Sequence, residues 1–68
     1  MPYVRIEITD EGVGDDEKAQ VIAGVTDLLQ RVLGKDPATT FVVIDEIPVV
    51  NWGIGGVPVT EWRTRRRG

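Results

Sequence analysis

The 68-residue chain contains no histidine and no cysteine. The first absence removes the side chain most often used as a general base near neutral pH. The second removes the thiol nucleophile, disulfides and cysteine-based metal sites. With both missing, the usual zinc ligand sets cannot be assembled, and no metal site is expected. Aromatic residues are few: two Trp, one Tyr and one Phe. No apolar run approaches the length of a membrane span. The N-terminus lacks the basic-then-apolar layout of a secretory signal. A soluble cytoplasmic protein with no membrane partner is expected.

What remains is short but apolar. Hydrophobic residues make up 41% of the chain. A single domain over residues 1–68 is expected. A monomer of this size buries too little surface to be comfortably stable. With no disulfide available, self-association is the remaining route to a larger core. The net charge of −3 is unevenly spread. Acidic residues dominate through Glu46, whereas the tail Arg63-Thr64-Arg65-Arg66-Arg67 is basic. Such a tail alone can contact nucleic acid. No other basic surface extends the footprint, so the tail is read as a solvated or interface-packing terminus and no nucleic-acid partner is expected.

Residues 2–9 read as a strand, with Val4, Ile6 and Ile8 alternating with Arg5, Glu7 and Thr9. Asp10-Glu11-Gly12-Val13-Gly14 reads as a loop. Asp15 or Asp16 is expected to cap a helix. Its apolar stripe comprises Val21, Ile22, Val25, Leu28, Leu29, Val32 and Leu33. Gly24 lies beside the stripe, where it would allow close approach to a sheet. Gly34 and Pro37 end the helix. Residues 40–47 read as a second strand, and its run Phe41-Val42-Val43-Ile44 is apolar on both faces. The expected class is α+β. A single β-α-β unit with parallel strands is followed by a short C-terminal hairpin or arm. Residues 57–62 are expected to be extended, with Pro58 confining them to an edge or a contact with another chain. One helix covers only one face of a two-stranded sheet, so the other face predicts a homo-oligomer.

Without histidine or cysteine, the Met1-Pro2 start gains interest as a source of chemistry. Removal of Met1 would expose a rigid secondary amine, and free α-amino groups titrate just above neutrality. The ordinary alternative is a proline that merely begins a strand. Gly53-Ile54-Gly55-Gly56 has no helix after it in this reading, so it is a tight reversal and not a nucleotide loop. Trp52 beside it is an apolar wall, in a core or at a subunit junction. Asp45 and Glu46 point to opposite faces of their strand and cannot form an acid–base dyad by spacing alone. One is expected to be solvated and the other to pair with an arginine.

In this order, five elements resemble the 4-oxalocrotonate tautomerase family. They are Met1-Pro2, the first strand, the amphipathic helix opening with Asp15-Asp16-Glu17-Lys18, the strand Phe41-Val42-Val43-Ile44-Asp45-Glu46 and the turn Asn51-Trp52-Gly53-Ile54-Gly55-Gly56. The resemblance covers nearly the whole chain. It implies Pro2 as catalytic base, Trp52 lining the pocket, no cofactor, and assembly as a hexamer built as a trimer of dimers. It implies keto-enol or 1,3-proton transfer on a small enol or 2-oxo acid. The two arginines of the family pattern fall on Val13 and Phe41. Candidate substrate contacts are therefore Trp52, Phe41, Arg5 and Arg63. Two alternatives stand beside this reading. One is other proline chemistry, such as hydration, dehalogenation or decarboxylation. The other is a non-catalytic oligomeric binding module.

Overall fold

The computed structural model describes residues 1–67; the side chain of Arg67 and all of Gly68 lie outside the described part. Strand β1 spans Tyr3–Thr9, helix α1 spans Asp15–Leu33, and strand β2 spans Phe41–Ile47. The strands pair in parallel, with Tyr3 opposite Phe41 and Thr9 opposite Ile47. The amide of Asp10 extends the ladder by donating to Ile47 O at 2.7 Å. The α+β class and the β-α-β unit are as the sequence predicts.

The helix begins one residue earlier than the aspartates suggest. Gly14 is the N-cap, and its backbone N–H donates to the Glu17 carboxylate at 3.0 Å. Asp15 and Asp16 occupy the first turn, where negative charge suits the helix dipole. At the other end Gly34 adopts φ 67°, a left-handed conformation that glycine takes without a Cβ penalty. Its N–H reaches Gln30 O, and Lys35 N–H reaches Leu29 O, so two terminal carbonyls are satisfied.

Period-two alternation decides which sheet face meets α1. Val4, Ile6, Ile8, Val42 and Ile44 are half-buried, whereas Tyr3, Arg5, Glu7, Phe41 and Val43 are exposed. The helix stripe is wider than the sheet it covers. Val25 and Leu29 are half-buried, but Val21, Ile22, Leu28, Val32 and Leu33 remain exposed. Gly24 also faces open space: a Cβ there would meet nothing within 4 Å. No close approach to this protomer's own sheet explains it.

The C-terminal third forms a second small cluster. A 3₁₀ turn at Val49–Asn51 leads to a hairpin of β3 (Gly53–Ile54) and β4 (Val57–Pro58). Its two-residue loop, Gly55-Gly56, has φ of 60° and 86°, as a primed turn requires. The expected extended arm over residues 57–62 is not observed beyond Pro58. Helix α2 spans Val59–Arg67 instead. Local side-chain pairs at helical spacing favour it: Glu61 with Arg65 at 2.7 Å, and the Arg66 guanidinium 5.0 Å from the Trp62 ring centre. Val59, only 6% exposed, is the one buried residue among those described, and its N–H donates to Trp52 O at 2.7 Å.

Helix α2 is tied back to the β1–α1 loop by Arg63, which forks onto both carboxylate oxygens of Glu11. Glu11 also accepts from the Thr9 hydroxyl. The Arg63 hydrogen bond, followed by that from Thr9, lowers the Glu11 pKa from an ordinary 4.5 to about 2.

Two outcomes follow from this architecture. Sedimentation equilibrium at micromolar concentration returns an oligomer, because one helix leaves Tyr3, Phe41 and Val43 exposed on the open sheet face and most of its own stripe uncovered; a stable folded monomer contradicts this. The depressed carboxylate stabilises the fold fully above pH 4.5, and that contribution is lost as the pH falls through about 2. Carbon-detected NMR titration of Glu11 should give a midpoint near 2, returning towards 4.5 in Arg63→Gln. An unchanged midpoint in that variant would show that the fork is not the cause.

Candidate active site

Pro2 lies immediately before the first rung of the sheet and is half-buried. Its carbonyl accepts the Phe41 amide at 2.9 Å, which fixes the proline at the start of both parallel strands. With Met1 attached, the Pro2 nitrogen is a tertiary amide and has no basicity. Met1 is 86% exposed, so the peptide bond to be cleaved is accessible. Phe41 is 51% exposed and stands opposite Tyr3 in register, forming an aromatic step beside Pro2 on the open sheet face. Pro2 and Phe41 are therefore brought together.

Trp52 and Arg63 sit at the other end. Trp52 follows the end of β2, and Val59 hydrogen-bonds its carbonyl, so α2 starts against it. Arg63 lies one turn further along α2 and reaches Glu11 in the loop that leaves β1. The full length of the seven-residue strands intervenes between this end and Pro2. At about 3.3 Å per residue that is roughly 20 Å. The protomer is correspondingly elongated, 47 × 23 × 18 Å. No cavity is enclosed among the described residues. Within one chain the proline and the tryptophan do not share a pocket.

Arg5 occupies the middle of the open face and is committed there. It pairs with Glu7 at 3.1 Å and diagonally with Asp45, which stands opposite Glu7 in the ladder. The hydrogen bond to Glu7 is the foremost cause raising its pKa, with the Asp45 charge adding to it. Glu46, on the opposite face, pairs with Lys18 of α1. Asp45 and Glu46 thus point apart, as alternation demands, and each has a cationic partner: one holds an arginine and the other a lysine. Three tail arginines are engaged within the protomer, Arg63 by the distant Glu11, Arg65 by Glu61 and Arg66 by the Trp62 face. Val13 is half-buried in the loop and offers no charge.

Glu11 is the residue that sequence reasoning passed over. It lay in a stretch read only as a flexible loop. Its partner is 52 positions away, in the basic tail read as a solvated or interface-packing terminus, so no local pattern marked the pair.

Comparison with known proteins adds an independent finding. The model of the Tautomerase enzyme family matches residues 2–61. A probable tautomerase K2 of Dickeya dadantii (strain 3937) is 60% identical over 63 residues, covering 93% of this chain and 94% of that protein. The 2-hydroxymuconate tautomerase of Comamonas testosteroni is 38% identical over 61 residues, covering 90% and 95%. The crystal structure of DmpI from Helicobacter pylori superposes with a TM-score of 0.86 at 38% identity, covering 93% of this chain and 97% of that one.

Proposed function

The chain belongs to the tautomerase family of isomerases, and we propose that its catalytic base is Pro2, freed by removal of Met1. The observation that carries this reading is the position of Pro2, half-buried and held by the Phe41 amide at the mouth of the sheet. The chain has no histidine or cysteine to take that role. The neutral ring nitrogen removes a proton from an enol hydroxyl or an α-carbon. The resulting prolinium returns it at another carbon of the conjugated system, so the substrate is isomerised with no net change in atoms.

A working pocket in this reading is shared between copies. The proline end and the tryptophan end of one protomer lie a sheet-length apart, and a two-fold axis normal to the strands turns a second sheet end for end. Antiparallel association then sets Pro2 and Phe41 of one copy beside Trp52 and Arg63 of the other. The uncovered sheet face and helix stripe supply further contacts, for which three such dimers closing into a hexamer is the proposed assembly. Arg63 is the cation placed for a substrate carboxylate, and Trp52 and Phe41 are the walls for its apolar part. Arg5, held by Glu7 and Asp45, orders the open face between them.

The preferred substrate is a small enol or 2-oxo acid with one carboxylate and an apolar or aromatic tail. Val13 and Phe41 stand where the family pattern places arginines, so a second carboxylate finds no cation. A buried carboxylate without a partner is strongly disfavoured.

Pro2→Ala is expected to lower kcat/KM on an arylpyruvate enol by roughly 10²–10⁴-fold, the usual worth of a general base. Intact-mass measurement should show the active form lacking Met1; full activity in a form that retains it removes Pro2 as the base. Steady-state kinetics should favour a monoacid enol over 2-hydroxymuconate by at least about tenfold, since even ~1.4 kcal/mol of unpaired charge produces that ratio. A preference for the diacid would reveal a second cation.

A further inference from the structure

Arg63 and Glu11 form a planar fork of the kind that arginine makes with a free carboxylate ligand. We propose that Glu11 is an internal stand-in for the substrate carboxylate: it occupies Arg63 in the empty site and is displaced when a monocarboxylate binds. This rests on reading the Trp52 end as the ligand end of the pocket.

Three features support exchange over a permanent strap. First, both side chains are well exposed, at 48% and 40%, and exposed pairs contribute little to stability. An incoming carboxylate therefore replaces Glu11 at small cost. Second, Glu11 has a second partner, the Thr9 hydroxyl, so the displaced carboxylate keeps a donor and can turn towards water. Third, α2 does not depend on the fork for its place. Val59 is buried and hydrogen-bonded to Trp52 O, and Trp62 lies against Gly55 of the hairpin. The helix that carries Arg63 stays anchored at Trp52 through Val59 when Glu11 lets go. The pair thus sets a threshold: a ligand must offer a carboxylate good enough to outcompete an intramolecular one. Neutral enols would not open it.

The experiment is calorimetric titration with phenylacetate, a monocarboxylate with an aromatic tail and no keto group to enolise. Glu11→Gln removes the competitor's charge and should tighten binding several-fold. Arg63→Gln should weaken binding roughly tenfold, the loss of one charge-assisted fork. Arg63→Lys keeps the charge without the fork and should fall between; it serves also if the glutamine variant fails to fold. The double variant should match Arg63→Gln, because the competitor has no role without its target. Weaker or unchanged binding in Glu11→Gln overturns the proposal, since a purely structural strap predicts that sign. Unchanged binding in both Arg63 variants, or no binding to any form, overturns it as well. Phenylacetate is not turned over, so these outcomes do not depend on Pro2. Pro2→Ala, by contrast, tests proton transfer and leaves the effect of Glu11→Gln on binding in place.

Discussion

A two-stranded sheet has two faces, and this chain has one helix to cover them. Most of the structure follows from that shortage. The face under α1 is apolar along both strands, and its Val42 and Ile44 are half-buried rather than buried. The other face carries Tyr3, Phe41 and Val43 into solvent. The helix stripe wraps further round α1 than two strands can reach. Among the described residues only Val59 is buried. A core of that size does not offset the conformational entropy of so many ordered residues. The missing burial has to come from other copies, and the same shortage is why a single protomer holds no pocket.

Charge is arranged to suit such an assembly. Alternation sends Asp45 to the open face, where Arg5 meets it, and Glu46 to the helix face, where Lys18 meets it. Each carboxylate has an opposite charge within its own chain, so a sheet face can be covered without stranding one of them. Exposed pairs of this kind add little stability alone. Their effect is to neutralise surfaces that would otherwise resist burial. The basic tail is treated likewise. Among the described side chains, Arg63, Arg65 and Arg66 are engaged by Glu11, Glu61 and the Trp62 ring.

The two ends of the sheet carry different chemistry. At the start of the strands, a proline and a phenylalanine are joined by one backbone hydrogen bond. At their finish, a tryptophan, an arginine and a glutamate are gathered by the hairpin and α2. A proton-transfer site needs both a base and a group that orients the substrate. Parallel strands place these a strand-length apart, whereas the antiparallel neighbour proposed above would bring them together. In this view catalysis and oligomerisation are one requirement.

Local pattern was enough for the β-α-β unit. Period two in β1, the seven-residue apolar stripe of α1 and the terminating Gly34 each depend on near neighbours, and the right-handed parallel crossover follows from their order. Pro2 stood out as the candidate base because the absence of histidine and cysteine left few alternatives. Trp52, Phe41, Arg5 and Arg63 were legible as residue types, but their grouping was not. α2 was hidden because Pro58 and the threonines around it favour extended chain, while the pairs that stabilise the helix, Glu61 with Arg65 and Trp62 with Arg66, emerge only at helical spacing. Once α2 forms, it swings Arg63 back to Glu11, a contact across 52 positions that no window of sequence contains. Composition and periodicity determined which elements exist and which chemistry is available. Tertiary structure alone decided which charges meet and that Pro2 and Trp52 stand at opposite ends of the sheet, because those facts depend on the path of the chain through space.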